Sequence, residues 1–120
     1  MNVKTLETLR KKESSSKSEL QMLPSNFFED CKQAMDHAFK SQDYRGFVDI
    51  QRLVKNINQM RQGKILKFAI YRSIRSGHLE KPENILPHEE KLLNKFMNNI
   101  LEHNDELDLM LDGYYFQEVK

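Results

Sequence analysis

With 120 residues and a mass of 14.3 kDa, the chain has room for one domain with a single modest core. Hydrophobic residues make up 38% and charged residues 31%, with a mean hydropathy of -0.74; no apolar run approaches the ~18 to 20 residues of a membrane span, and the charged stretch Met1 to Lys12 is unlike a secretory signal. The lone cysteine, Cys31, excludes an internal disulfide and a cysteine-rich metal site, so a reducing, cytoplasmic setting is expected, and four Gly, three Pro and no Trp favour helices over turn-rich β architecture.

Val3, Leu6 and Leu9 recur every three residues with basic residues behind them, which predicts a short amphipathic helix over 2–13 that ends at Ser14, Ser15 and Ser16. Leu23-Pro24 then marks the start of a second helix, because proline fits a first helical turn and disfavours helix in the residue before it. Its apolar face over about 24–40 is Phe27, Cys31, Ala34, Met35 and Ala38. After a break at Ser41 to Asp43, a stripe through Phe47, Ile50, Val54, Ile57, Ile65, Phe68 and Arg72 traces one helix of about 30 residues. At ~1.5 Å per residue it would run about 45 Å, more than a domain of this size needs internally, so part of it is expected to be covered by another chain. Gly63 lies within it, either at a close helix approach or bend or as an ordinary tolerated glycine. Gly77 is placed to end it, and a loop through Pro82 follows.

Leu86-Pro87-His88-Glu89-Glu90 opens the last helix, since early proline and first-turn acids suit the positive end of the helix dipole. Its core face is Leu93, Phe96, Met97, Ile100 and Leu101. The pattern changes beyond Asp105, and Asp112-Gly113 leading into Tyr114, Tyr115, Phe116 and Val119 reads as a turn into a short strand that stops before it has a partner. The predicted fold is therefore all-α, a bundle of about four helices with one long central helix and a short C-terminal β segment. Residues 1–107 form the helical domain, and 108–120 are a linker or the start of a small β domain absent from this chain.

Charge is unevenly placed: residues 1–49 hold eight bases and eight acids, 50–79 hold seven bases and no acid, and 80–120 hold four bases and ten acids. A basic block followed by an acidic one neutralises itself on folding, meets separate partners, or meets nucleic acid. A helical nucleic-acid-binding protein using 50–79 is the alternative function. Seven phosphate contacts would give a slope of log affinity against log salt near about -6, but the bases spread over several helical sectors with few aromatics between them for stacking.

Catalytic signatures are lacking. There is no phosphate-binding glycine loop, dinucleotide fingerprint or cysteine pair, and His37, His78, His88 and His103 never take the i, i+4 spacing that aims two imidazoles at one metal. No metal and no cofactor are expected. Cys31 reads as a small buried residue, the methionines as core filling, and the adjacent Glu89 and Glu90 as acids pointing to different sides of a helix rather than a catalytic pair. Arg61 falls where the stripe from Val54 and Ile57 calls for an aliphatic residue, with Lys64 and Ile65 a turn on. Its stem snorkels to an edge, or it pairs with a carboxylate of a neighbouring helix or subunit, or it touches DNA.

Leu23-Pro24 followed by Phe27-Phe28, the long helix with Arg61, Lys64 and Ile65 and its Arg75 end, and Leu86-Pro87-His88-Glu89-Glu90 together resemble a GINS subunit. More narrowly, the chain is similar to the archaeal form of the branch with the helical domain first and a small β domain second. The likeness covers about 20–110, the N-terminal helix fits it, and it rests on the order and spacing of these residues rather than on one motif. The departure is length, which predicts either the helical part of a longer chain or a naturally short member.

What the resemblance implies is a non-enzymatic scaffold of chromosomal DNA replication. Its helical domain would join other GINS subunits in a homo- or heterotetramer and bridge the MCM helicase and a RecJ-like partner, in the cytoplasm near the nucleoid. The last link is weakened without the β domain. Subunit-interface or core candidates are Phe27, Phe28, Ile50, Val54, Ile57, Ile65, Phe68, Leu93, Phe96, Met97 and Ile100, and ion-pair candidates are Arg61, Lys64, Glu89 and Glu90.

Overall fold

The computed structural model describes residues 1–74 and 81–111. Within them lie four helices in the order α1 (Val3–Ser14), α2 (Phe27–Lys40), α3 (Tyr44–Ile74) and α4 (Pro87–Met110). The all-α reading with one long helix of 31 residues is what the chain adopts. The C-terminal β segment and the Gly77 helix end lie outside the described residues.

Each helix begins or ends on a local chemical cause. The Asn2 side chain accepts the Thr5 N–H at 2.8 Å and so caps α1. At the α2–α3 joint, Gln42 N–H donates to the Phe39 carbonyl at 3.1 Å and Asp43 N–H to the Ala38 carbonyl at 2.8 Å, with Gln42 in the left-handed conformation at φ 59°. This is a Schellman C-cap without its usual glycine. Asp43 then turns from closing one helix to opening the next, its carboxylate accepting the Gly46 N–H at 3.0 Å. The expected break at Ser41 to Asp43 is thus a pair of interlocked caps.

The second helix starts later than Pro24 suggests. Pro24 stays in a turn, its carbonyl accepting the Phe27 N–H at 3.0 Å, and α2 begins at Phe27. Just before this turn, residues 19–21 use their backbone groups elsewhere: the Glu19, Leu20 and Gln21 carbonyls accept from the side chains of Lys64, Asn84 and Arg61. At the far end α4 continues through Asp105 to Met110, beyond the proposed boundary at 107, with Leu107 half-buried.

Among the described helices, α1, α2 and α4 each pack along α3. The N-terminal half of α3 receives α1 and α2 in a core of Leu6, Leu23, Phe27, Cys31, Ile50, Leu53 and Ile57; the C-terminal half receives α4 in a second core of Leu20, Ile65, Ala69 and Leu93. Glu89 meets Arg61, and Leu93 joins Ile65 further along, so α4 runs in the same direction as α3. With two cores end to end on one rod, the molecule is long: 62 × 23 × 20 Å, with a radius of gyration of 18.7 Å against about 14 Å for a compact chain of this length. A Cβ placed on Gly63 would meet nothing within 4 Å, so this glycine marks neither a close approach nor a break in α3.

Candidate functional site

Between the two cores sits a cluster of four charged side chains drawn from three helices: Glu13 at the end of α1, Arg61 and Lys64 one turn apart on α3, and Glu89 in the first turn of α4. All four are buried, Arg61 and Glu13 fully. Such burial is costly unless every polar atom finds a partner.

Here they do. The Arg61 guanidinium grips Glu89 in a two-pronged fork, Nε to Oε2 at 2.8 Å and Nη2 to Oε1 at 2.7 Å. Its Nη1 donates to Glu13 Oε1 at 2.8 Å and to the Gln21 carbonyl at 2.7 Å, and Nη2 also donates to the Asn84 carbonyl at 2.9 Å. All five guanidinium donors are therefore used. Lys64 Nζ uses its three on the Glu13 carboxylate, the Glu13 carbonyl at 2.6 Å and the Glu19 carbonyl at 2.8 Å. The acids are completed by backbone: Gln21 N–H donates to Glu13 Oε2 at 3.2 Å and Leu86 N–H to Glu89 Oε1 at 3.0 Å. Burial alone would weaken the charge on Arg61, but the hydrogen bonds to Glu89 and Glu13 outweigh it and hold its pKa above the ordinary arginine value.

The cluster thus closes two loops onto α3. Asn84 makes this possible by taking a left-handed conformation, φ 64°, which asparagine tolerates; its carbonyl reaches Arg61 while its amide donates to the Leu20 carbonyl at 3.1 Å. The balance of two cations and two anions leaves no net charge to attract a ligand. Chemically the arrangement fastens segments together, and its carboxylates have no free oxygen for proton transfer.

The structure separates the sequence candidates cleanly. Arg61 does not snorkel to an edge, because the stripe position faces inward and both carboxylates arrive there. Glu89 is more than a dipole-favourable acid, whereas Glu90 lies at the surface on Lys81, 2.9 Å away. Glu13 is absent from the candidates. Its signal was legible: seven residues after Leu6, it occupies the apolar face of α1, as Arg61 does on α3. Phe27, Ile50, Ile57, Ile65 and Leu93 are buried in the chain's own cores, and Val54, Phe68, Phe96, Met97 and Ile100 pack half-buried against them. Phe28 stands edge-on between Phe27 and His88, with ring centres 5.0 and 4.9 Å apart. Leu101, expected in the core face, is 45% exposed, and Met22 and Met110 are exposed rather than core-filling, because the first lies in the 15–26 connection and the second at the end of α4.

Cys31 is buried, and desolvation pushes its thiol up to about 11, which suits an inert core residue. Among the described residues no group of three or more His, Cys, Asp or Glu could hold a metal ion, and no helix is long and apolar enough to cross a membrane. The basic block is depleted as a surface: Arg61 and Lys64 are enclosed, Arg52 lies 3.9 Å from Asp49, and Arg72 stacks over Phe68 at 5.5 Å.

The described residues thus form an elongated all-α bundle pinned at its middle by a neutral ion cluster. Residues 1–108 match the GINS complex protein helical bundle domain. The chain belongs to the GINS family, whose members are subunits of a DNA-replication complex. No curated protein and no solved structure shows significant similarity to it.

Proposed function

We propose that this chain is a non-enzymatic scaffold of an archaeal-type GINS, assembling with other GINS subunits as a homo- or heterotetramer that links the MCM helicase to a RecJ-like partner. One observation carries the reading. Leu66, Ile70 and Ile74 lie four apart on the side of α3 turned away from both cores, 41%, 47% and 78% exposed. A line of large aliphatic side chains on the back of the central helix is surface that a partner helix would cover. The neutral cluster supports the same reading, since it spends the buried acids and bases on rigidity rather than on chemistry.

Sedimentation or light scattering at micromolar concentration tests it. The expected result is a defined dimer or tetramer, and Leu66→Glu/Ile70→Glu should break it while leaving the helical signal intact. A chain that stays monomeric, alone and when mixed with the MCM helicase, would remove the scaffold reading.

A further inference from the structure

The outward face of α4 carries a charge pattern that its own fold does not use. At about 100° per residue, Lys91, Lys95, Asn98, Asn99, Glu102 and Glu106 fall in one sector about 100° wide, centred opposite Leu93, Met97 and Ile100. All six are exposed. Each charge has a like charge four residues away, Lys91 with Lys95 and Glu102 with Glu106, an arrangement that weakens an isolated helix. The acids also sit toward the negative end of the helix dipole, where the last turn holds no base. The neighbouring helix offers no remedy for the lysines, because residues 50–79 contain no acid.

Read in reverse, the face is its own complement. In an antiparallel pair centred between Asn98 and Asn99, Lys91 stands opposite Glu106, Lys95 opposite Glu102, and Asn98 opposite Asn99. A two-fold axis repeats each contact, giving four cation–carboxylate pairs around an amide centre. We infer that this α4 face docks on the same face of a second copy of this chain, antiparallel and two-fold symmetric. The inference rests on the assembly reading above and deepens it: the back of α3 and the outer face of α4 are separate surfaces, and two different two-fold contacts are what closes four copies into a tetramer.

The experiment uses the full chain in sedimentation velocity at micromolar concentration. Wild type should self-associate, about tenfold more weakly in 500 mM than in 50 mM NaCl, since exposed ion pairs are screened. Lys91→Glu/Lys95→Glu and Glu102→Lys/Glu106→Lys should each lose this association with unchanged circular dichroism, and an equimolar mixture of the two should recover it as a mixed pair. An Asn98→Cys variant should cross-link across the axis, whereas Asn94→Cys, on the flank, should not. If wild type assembles and both charge variants assemble equally well, the α4 pairing is wrong while the scaffold reading stands. If wild type alone is monomeric, the α4 pairing falls, while the scaffold reading falls only if the chain also fails to associate when mixed with the MCM helicase. A monomer that binds single-stranded DNA through Lys91 and Lys95, lost in Lys91→Glu/Lys95→Glu, reassigns these lysines to nucleic acid and overturns the pairing.

Discussion

Arg61 is the residue whose removal the fold should tolerate least. Truncation to alanine leaves Glu89 buried without its cation and Glu13 with Lys64 alone, and losing one partner of a buried pair costs ~3–5 kcal/mol. Urea unfolding of Arg61→Ala should show a loss of that size. Arg61→Lys should not rescue it fully, because an ammonium cannot make the fork to Glu89 and also reach the Gln21 and Asn84 carbonyls. The neighbouring acids make a sharper comparison. Glu89→Ala should destabilise by several-fold more than Glu90→Ala, whose surface pair with Lys81 is worth less than about 1 kcal/mol; equal effects would mean that the cluster contributes nothing. Cys31 adds a pH signature. Its folded thiol is raised from about 9 to about 11, so between these values the unfolded chain gives up the proton more readily than the folded one. Its contribution is intact below pH 9 and is lost as pH climbs toward 11. The unfolding midpoint of wild type should therefore fall more steeply than that of Cys31→Ala between pH 8.5 and about 10.5.

At the scale of elements, two positions depart from the local optimum without a compensating contact. Gln42 takes the left-handed C-cap of α2, a conformation that costs a residue with a Cβ roughly 1 kcal/mol relative to glycine. Gln42→Gly should raise stability by about that amount in chemical denaturation. Gly63 is the mirror case, since a methyl group there meets open space and alanine is the better helix former. Gly63→Ala should add about 0.5–1 kcal/mol, and a loss instead would show that α3 bends at this point in solution. The late start of α2 belongs to the same scale. Local preference placed the start at Pro24, but Pro24 stays in a turn closed by the Phe27 N–H on its carbonyl, following residues 19–21, whose carbonyls accept hydrogen bonds from Lys64, Asn84 and Arg61.

Across the whole molecule, the arrangement of three helices on one rod explains the exposed apolar surface. A 31-residue helix of about 46 Å offers more flank than α1, α2 and α4 can cover. Val48, Leu66, Ile70 and Ile74 remain on it, and Leu109 and Met110 end α4 at 80% and 77% exposure. If further copies of the chain cover this surface, as proposed, the unfolding midpoint should rise with protein concentration. A midpoint constant over a hundredfold range would speak for a self-sufficient monomer. The nucleic-acid alternative also becomes measurable at this scale. With Arg61 and Lys64 enclosed, at most five of the seven bases of 50–79 remain for phosphates, and any salt slope should be no steeper than about -4.5.

Periodicity determined the helices and their inward faces, because the spacing of Leu6 and Leu9, Ile50 to Ile65 and Leu93 to Ile100 fixes which side seeks a core whatever the partner is. Composition and motif gaps offered no catalytic signature to build on, and the order of short motifs indicated the GINS family. Sequence also flagged Arg61 as an anomaly on an apolar stripe. It did not say where the counter-charges lay, since Glu13 and Glu89 are 48 and 28 residues away and only the packing of three helices brings them to one point. Which apolar faces are internal was likewise decided by tertiary structure: periodicity reports that a side chain avoids water, whereas the position of α4 along α3 decides whether its own chain supplies the cover.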